Sequence, residues 1–200
     1  KVGSAEGFCS GGGIAQIGYT VGLAYAQRGE APAYWGKEIT TKALAEAAKA
    51  GDKAALDTVL AAKPDVINHN VETVERLSPV VRPQADYRRS LDVLRYCKEH
   101  GSAFIKTSIM LGLGETDAEI ETTLSDIYDT GCDILAISQY LRPSKDHTPL
   151  DRYVTPEQFE EYKKIAEKIG IKYVVSSPLV RSSYLAADAL DAVKAKNDLH

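Results

Sequence analysis

The chain has 200 residues, of which 44% are hydrophobic and 26% charged, and its formal net charge at pH 7 is -4. A chain of this length can bury one sizeable core or two very small ones. The mild charge and the scattered basic residues argue against nucleic acid or a membrane surface as a partner. No apolar run approaches the roughly 18 residues of a membrane span, and the first residues lack the pattern of a secretory signal, so we expect a cytoplasmic protein.

The first part of the chain differs in composition from the rest. Residues 1–35 are rich in glycine and low in charge, whereas the sequence after Pro64 alternates between apolar runs and charged periodic segments. This change predicts a boundary between residues 50 and 63. Residues 11–13 are three glycines before a predicted helix over 14–26, and they can be interpreted as a phosphate loop. They lack the lysine of a P-loop, and no predicted strand precedes them.

Four apolar runs rich in valine and isoleucine are predicted to be buried parallel strands. They cover residues 65–69, 103–111, 133–141 and 171–176. Alternation of such strands with helices predicts a parallel sheet whose functional groups gather at the carboxyl ends of the strands. An open doubly wound sheet and a piece of a (β/α) barrel both obey this rule, and periodicity does not separate them.

Three amphipathic helices are predicted between these strands, over residues 86–100, 116–130 and 155–169. The second and third begin with threonines in capping-box spacing, and a glycine follows each of the three helix ends. The capping pairs are Thr116 with Glu119 and Thr155 with Gln158, and the stop glycines are Gly101, Gly131 and Gly170. The residues predicted to face the core are Leu91, Val93, Leu94, Cys97, Ile120, Leu124, Ile127, Phe159, Tyr162, Ile165 and Ile169.

Polar residues and glycines follow the predicted strands at their carboxyl ends, where a strand buried on both faces has no structural need of them. Each has an ordinary explanation, such as a tight turn for a pair of glycines or a favourable helix dipole for a glutamate. Taken together they predict a ligand site. The residues concerned are Asn68, Asn70, Glu72, Lys106, Ser108, Gly112, Gly114, Glu115, Gln139 and Arg142.

The chemistry of these residues suggests a nucleoside with an amino-acid tail as the ligand. The glycines at 112 and 114 let backbone groups approach a ligand closely, and Glu115 offers a carboxylate acceptor. Asn70 and Glu72 lie two residues apart on a segment predicted to be extended. Their side chains are therefore predicted to point to the same side, where they can hold the vicinal diol of a ribose.

Five linked motifs resemble the carboxyl-terminal half of lipoyl synthase, in the same order and with similar spacing, from about residue 56 to 188. They are NHNVETV, VRPQADYRRSLDVL, KTSIMLGLGETDAEI, ISQYLRPSKDHTPLDRYVTPEQFEEYK and SSPLVRSSYLAAD. Several linked motifs are far more specific than any single glycine pattern. The resemblance implies a radical S-adenosylmethionine enzyme on a partial parallel (β/α) barrel, which inserts sulfur into an octanoyl chain carried by a lipoyl carrier protein.

The resemblance also implies roles for individual residues. Gly112, Gly114 and Glu115 match the family's glycine-and-glutamate strand that contacts S-adenosylmethionine. Asn70 and Glu72 match its ribose-binding segment. By resemblance, S-adenosylmethionine is therefore the expected cofactor, bound weakly.

Iron–sulfur ligation is where the chain departs from that family. Lipoyl synthases hold their catalytic [4Fe–4S] cluster with a CxxxCxxC loop and an auxiliary cluster with a second cysteine triplet. This sequence has only Cys9, Cys97 and Cys132, far apart, which we interpret as small hydrophobes. The serine that ligates the auxiliary cluster corresponds to Ser183 or Ser182, if such a cluster is present, although their motif also fits a helix cap. We expect no cluster here and no sulfur insertion by this chain alone.

Residues 1–62 resemble a segment of ROK-family sugar kinases through the motifs EGFCSGGGIAQIG, AQRGEAPAYWG and ITTKALAEAAKAGDKAAL. The resemblance implies a chimera of two incomplete enzymes without kinase activity. We predict a mostly helical segment over 1–55, a partial barrel over 56–190 and a tail over 191–200. The alternatives are a non-catalytic α/β scaffold and a sugar-binding ROK remnant, and oligomerisation that hides an open sheet edge is compatible with each.

Overall fold

A computed structural model of the chain describes residues 11–180, 191–193 and 195. These residues form two compact units. The first lies within 1–65 together with 99–103, and the second lies within 66–98 and 104–200. None of the helices in the described part of the chain is long and apolar enough to cross a membrane.

The first unit contains three helices, α1 (Gly11–Gln27), α2 (Thr41–Lys49) and α3 (Lys53–Ala61). The helix predicted over 14–26 is confirmed, but it begins earlier than predicted, so the three glycines form its first turn and not a loop before it. Side-chain caps start the other two helices: Thr40 accepts from the N–H of Ala43 and Asp52 from that of Ala55.

The second unit is built on a four-stranded parallel sheet with the strands in chain order. The strands are β1 (Val66–Asn68), β2 (Phe104–Leu111), β3 (Ile134–Gln139) and β4 (Tyr173–Ser176). All four predicted strands are confirmed, and each is one to three residues shorter than predicted. A helical connection lies between successive strands, which is consistent with the predicted partial (β/α) barrel.

Helices connect the strands at the predicted places. They are the short α4 (Ser78–Val81), then α5 (Tyr87–His100), α6 (Asp117–Tyr128) and α7 (Pro156–Ile169), with a 3-10 turn at Glu75–Leu77. Both predicted capping boxes are present, at the start of α6 and of α7. The predicted core residues of α5 and α6 are buried. In α7 the prediction was partly wrong: Ile165 and Ile169 are half-buried, and Ala166 is fully buried in their place.

The α7 cap gives a direct test of local stability. Thr155 accepts from the N–H of Gln158, and the Gln158 side chain accepts from the N–H of Thr155 in return. We expect Thr155→Ala to lower the free energy of unfolding by about 1 kcal/mol, because an amide of the first turn loses its acceptor. Urea denaturation measures this, with the exposed mid-helix Glu160→Ala as control. Equal stabilities of the two variants would contradict the role of the cap.

The strand register assigns residues to two faces of the sheet, since paired residues of parallel strands share a face. One face is covered by helices and buries Ile105, Ile109, Leu135 and Ile137. The opposite face, which we call the polar face, carries Asn68, Lys106, Ser108, Met110 and Ser138 on β1 to β3. At the amino end of the strands, Phe104, Ile134, Tyr173 and Val193 form an apolar cluster.

Candidate functional site

The turn after β2 is held by the side chain of Glu115, which is 5% exposed. Its Oε1 accepts from the N–H of Gly112 at 2.6 Å, and its Oε2 accepts from the N–H of Leu113 at 2.8 Å. The two charge-assisted bonds fix the turn from inside. The carboxylate that the sequence suggested for a ligand is therefore engaged by its own chain.

The two glycines of this turn have different neighbours. Gly112 and Gly114 have φ angles of +99° and +98°, in the left-handed region that favours glycine. A Cβ atom on Gly112 would collide with the backbone oxygen of Arg152 and with Nε2 of Gln139. A Cβ atom on Gly114 would have Asp151 as its nearest neighbour, at 3.8 Å. Gly112 thus allows close packing within the chain, whereas Gly114 leaves its surroundings open.

Gln139 at the end of β3 is also engaged internally. Its amide nitrogen donates to the carbonyls of Leu111, Tyr140 and Arg152 at 3.0 to 3.2 Å. Its Oε1 accepts from the N–H of Val154 at 2.9 Å. The side chain therefore ties two strands to the segment that leads into α7.

Arg142 lies in the exposed loop that follows β3. Its guanidinium donates to the backbone oxygens of Lys145 and His147 in the same loop. In this structure Arg142 closes that loop.

The chain after β1 returns to the sheet through a bulge. Beyond Asn68 the ladder with β2 resumes at Glu72, whose N–H donates to Ser108 and whose carbonyl accepts from Met110. Glu72 has φ +72°, which is uncommon for a residue other than glycine. The Asn70 amide donates to the Glu72 carboxylate at 3.0 Å. The two predicted ribose contacts are therefore adjacent, but a bulge and not an extended segment brings them together.

Two residues that the sequence reasoning missed hold this bulge. Arg82 donates to the carbonyls of Asn70 and Val71 at 2.9 and 3.0 Å, and Thr107 accepts from the N–H of Val71 at 3.1 Å. The buried Oδ1 of Asn70 has no hydrogen-bond partner among the described residues. A strained backbone beside an unsatisfied buried acceptor is typical of a ligand site.

Lys106 is the charged residue of the polar face. It is 5% exposed, and burial lowers the pKa of its ammonium. It lies opposite Asn68 in the register of β1 and β2. Ser108, two residues further along the same face, is 6% exposed. Asn68, Asn70, Glu72, Lys106 and Ser108 thus lie along the carboxyl end of β1, the bulge that follows it and the middle of β2.

An iron–sulfur cluster does not fit the described residues. Cys97 and Cys132 are buried thiols, and burial raises the pKa of Cys132 to about 12. A thiol with such a pKa stays protonated near neutral pH and is a poor ligand. In the described ranges no group of three or more His, Cys, Asp or Glu residues can hold a metal ion. Ser182, Ser183 and Cys9 lie outside those ranges.

The sequence profile of the radical SAM superfamily matches residues 22–127. This chain therefore belongs to the radical SAM superfamily. Membership implies S-adenosylmethionine and an iron–sulfur cluster as the cofactors of the family. The matched region begins within the segment that resembles ROK kinases, and the resemblance to ROK kinases remains a prediction.

Within this superfamily, the chain is similar in sequence to curated lipoyl synthases, so it is a lipoyl synthase-like domain. The lipoyl synthase of Chlorobium chlorochromatii is 54% identical over 134 residues, 67% of this chain and 46% of the relative. That of Myxococcus xanthus is 56% identical over 135 residues, 66% and 45% of the two chains. That of Caldicellulosiruptor bescii is 50% identical over 145 residues, 72% and 50%. The chain spans about half the length of the curated relatives it matches.

Proposed function

We propose that the second unit binds S-adenosylmethionine at the carboxyl ends of β1 and β2, as part of a lipoyl synthase-type enzyme. The observation that carries this proposal is the strained bulge that joins Asn70 to Glu72 and leaves a buried acceptor of Asn70 unsatisfied. Oδ1 of Asn70 and the carboxylate of Glu72 are two neighbouring acceptors, which suits the vicinal hydroxyls of a ribose.

The other predicted residues differ in their roles in this proposal. Gly114 leaves room for a ligand beside the turn, and Lys106 and Ser108 supply donors on the polar face. Glu115 and Gln139 position the turn, because their polar atoms already bond to the chain. Arg142 closes its own loop, and we assign it no direct contact with the nucleoside.

For the whole enzyme, the proposed reaction is sulfur insertion into an octanoylated lipoyl carrier protein. Because the described residues do not fit an iron–sulfur cluster, we assign no electron transfer and no sulfur donation to this chain. We also propose the domain limits 1–55, 56–190 and 191–200, with a partial barrel in the second. On this proposal the chain binds the nucleoside and does not turn over by itself.

The test is ligand-dependent thermal stabilisation of the full chain. S-adenosylmethionine at about 100 times its Kd is expected to stabilise the protein by ~2.7 kcal/mol, which raises Tm by several degrees. Glu72→Gln is expected to weaken binding about tenfold or more, since it removes a charged acceptor. The exposed Glu121→Gln is the matched control. Incubation with iron and sulfide is expected to leave the protein colourless.

A Tm that does not move at millimolar S-adenosylmethionine would reject nucleoside binding. Appearance of the brown colour of a cluster would reject the assignment of no metal chemistry to this chain.

A second candidate function is sugar binding by the first unit. It rests on a hollow of about 500 Å³ in which the rings of Tyr19 and Trp35 lie 5.5 Å apart, beside Lys37. The exposed ring of Tyr19 and the half-buried ring of Trp35 offer an apolar platform to a ring-shaped ligand. Stabilisation by glucose and not by S-adenosylmethionine would favour this function over the first.

A further inference from the structure

Two successive carbonyl groups of the bulge after β1 point at the same nitrogen atom. Nη1 of Arg82 donates to the carbonyl of Asn70 at 2.9 Å and to that of Val71 at 3.0 Å. In an extended strand, successive carbonyls point to opposite sides. Carbonyls that converge on one point therefore mark the place where the chain leaves the strand conformation. The positive charge of Arg82 stabilises this convergence, because both oxygens accept from it.

The N–H groups of the same two peptide units are held from the side of β2. The N–H of Val71 donates to the Thr107 hydroxyl at 3.1 Å, and the N–H of Glu72 donates to the carbonyl of Ser108 at 2.9 Å. All four polar groups of the two peptide units thus have partners. Both peptide planes are fixed between Arg82 and β2, and this holds Glu72 at its φ of +72°.

The backbone of Arg82 is itself fixed at the end of α4. Its N–H donates to the carbonyl of Ser78 at 2.8 Å, and its own carbonyl accepts from the N–H of Ala85 at 2.9 Å. Arg88 of the next helix shows the more ordinary use of this side chain, since its guanidinium pairs with the carboxylate of Glu75 at 2.6 Å. The half-buried Arg82 bonds main-chain carbonyls, so its contacts set the course of the backbone.

We propose that Arg82 is a positioning residue for the ribose contacts and that selectivity for a ribose with both hydroxyls depends on it. The inference rests on the proposed function, in which Asn70 and Glu72 accept from the two hydroxyls. It adds a residue that acts on the nucleoside only through the backbone of the bulge. Without its guanidinium, the two carbonyls lose their shared donor and Glu72 loses the support for a left-handed φ. The two acceptors then no longer keep the separation that a vicinal diol requires.

Two ligands that differ in one hydroxyl group make the test specific. S-adenosylhomocysteine carries the full ribose, and its 2′-deoxy analogue lacks one of the two hydroxyls. We would titrate both into the full chain by calorimetry, for wild type, Arg82→Met and the exposed control Arg89→Met. Wild type is expected to bind S-adenosylhomocysteine about tenfold more tightly than the analogue, since removal of the hydroxyl leaves a charged acceptor without its donor.

Arg82→Met is expected to reduce this discrimination to less than about threefold. The affinity for S-adenosylhomocysteine should fall about tenfold, whereas the affinity for the 2′-deoxy analogue should fall by less than about threefold, because the analogue does not use the full pair of acceptors. Arg89→Met is expected to change neither affinity. Arg82→Lys returns one charged donor to the two carbonyls and is expected to recover part of the discrimination.

The discrimination separates positioning from a general loss of structure. A variant that is merely destabilised binds both ligands less tightly by the same factor, whereas a displaced Glu72 affects mainly the ligand with the full diol. Tm without ligand is measured for each variant, and the titrations are done well below the lowest Tm. Arg82→Gln is the second neutral variant, with the same expected loss of discrimination. Failure of both neutral variants to fold would assign Arg82 to the fold as a whole and overturn the inference.

Three further results would also contradict the inference. If Arg82→Met weakens both ligands by the same factor or weakens neither, Arg82 does not position the diol contacts, and the proposed function stands. If wild type binds the two ligands equally, the bulge does not recognise the ribose, and the ribose assignment fails with the inference. If neither ligand binds wild type, the proposed function fails as well.

Discussion

Gly112→Ala is expected to lower the free energy of unfolding by about 2–5 kcal/mol. A left-handed φ costs a non-glycine residue ~1–2 kcal/mol, and forcing a methyl group into a packed site adds ~1–3 kcal/mol. At Gly112 the added Cβ meets the backbone oxygen of Arg152, which a side-chain movement cannot relieve. It also displaces Nε2 of Gln139, which bonds three carbonyl oxygens.

Gly114 provides the matched control, because its φ of +98° is nearly the same and its surroundings are open. Gly114→Ala is therefore expected to lower the free energy of unfolding only by the cost of the left-handed φ, ~1–2 kcal/mol. Urea denaturation followed by circular dichroism measures both variants. Equal losses for the two would show that internal packing is not the reason for the glycine at 112.

Asp133→Ala is expected to destabilise the second unit by about 2–4 kcal/mol, since it removes a buried carboxylate that accepts from two half-exposed lysines and from a buried amide. The Asp133 side chain is 1% exposed and lies between Lys98 and Lys172. It also accepts from the N–H of Ile105 at 2.9 Å. That buried amide loses its acceptor in the variant. The exposed Asp129→Asn serves as the control and is expected to change stability by less than ~0.5 kcal/mol.

The same carboxylate predicts a pH dependence. Burial of Asp133 acts to raise its pKa, but hydrogen bonds from Lys98, the N–H of Ile105 and Lys172 outweigh burial and hold the pKa below the ordinary 3.8. A carboxyl with a lowered folded pKa contributes stability that is present above its unfolded pKa and is lost as the pH falls through the folded pKa. The difference in unfolding free energy between wild type and Asp133→Ala should therefore shrink below pH 3.8. A constant difference from neutral pH to pH 3 would contradict this.

Local chemistry made most of the fold predictable from sequence. Thr116 and Thr155 mark the starts of their helices because their side chains cap the first turn. Both capping boxes form as predicted. The strands follow from runs of valine and isoleucine that only burial explains. Ile165 and Ile169 were assigned to the core of α7 by their apolarity, whereas the small Ala166 fits the buried position.

The site was less predictable, because its contacts depend on tertiary geometry. Asn70 and Glu72 were expected to meet through the period of an extended strand, but a bulge held by Arg82 and Thr107 brings them together. No local signal marks a bulge of this kind. Glu115 was expected to face a ligand, and its proximity to two turn amides appears only once the turn is closed.

Amide chemical-shift mapping of the isotope-labelled full chain with iron-free S-adenosylmethionine most directly tests whether this nucleoside site exists without a cluster. We predict saturable shifts concentrated at residues 68–72, 106–108 and 112–115. Shifts confined to the surroundings of Tyr19 and Trp35, or no saturable shifts at millimolar ligand, would contradict the assignment of a nucleoside site to the carboxyl ends of β1 and β2.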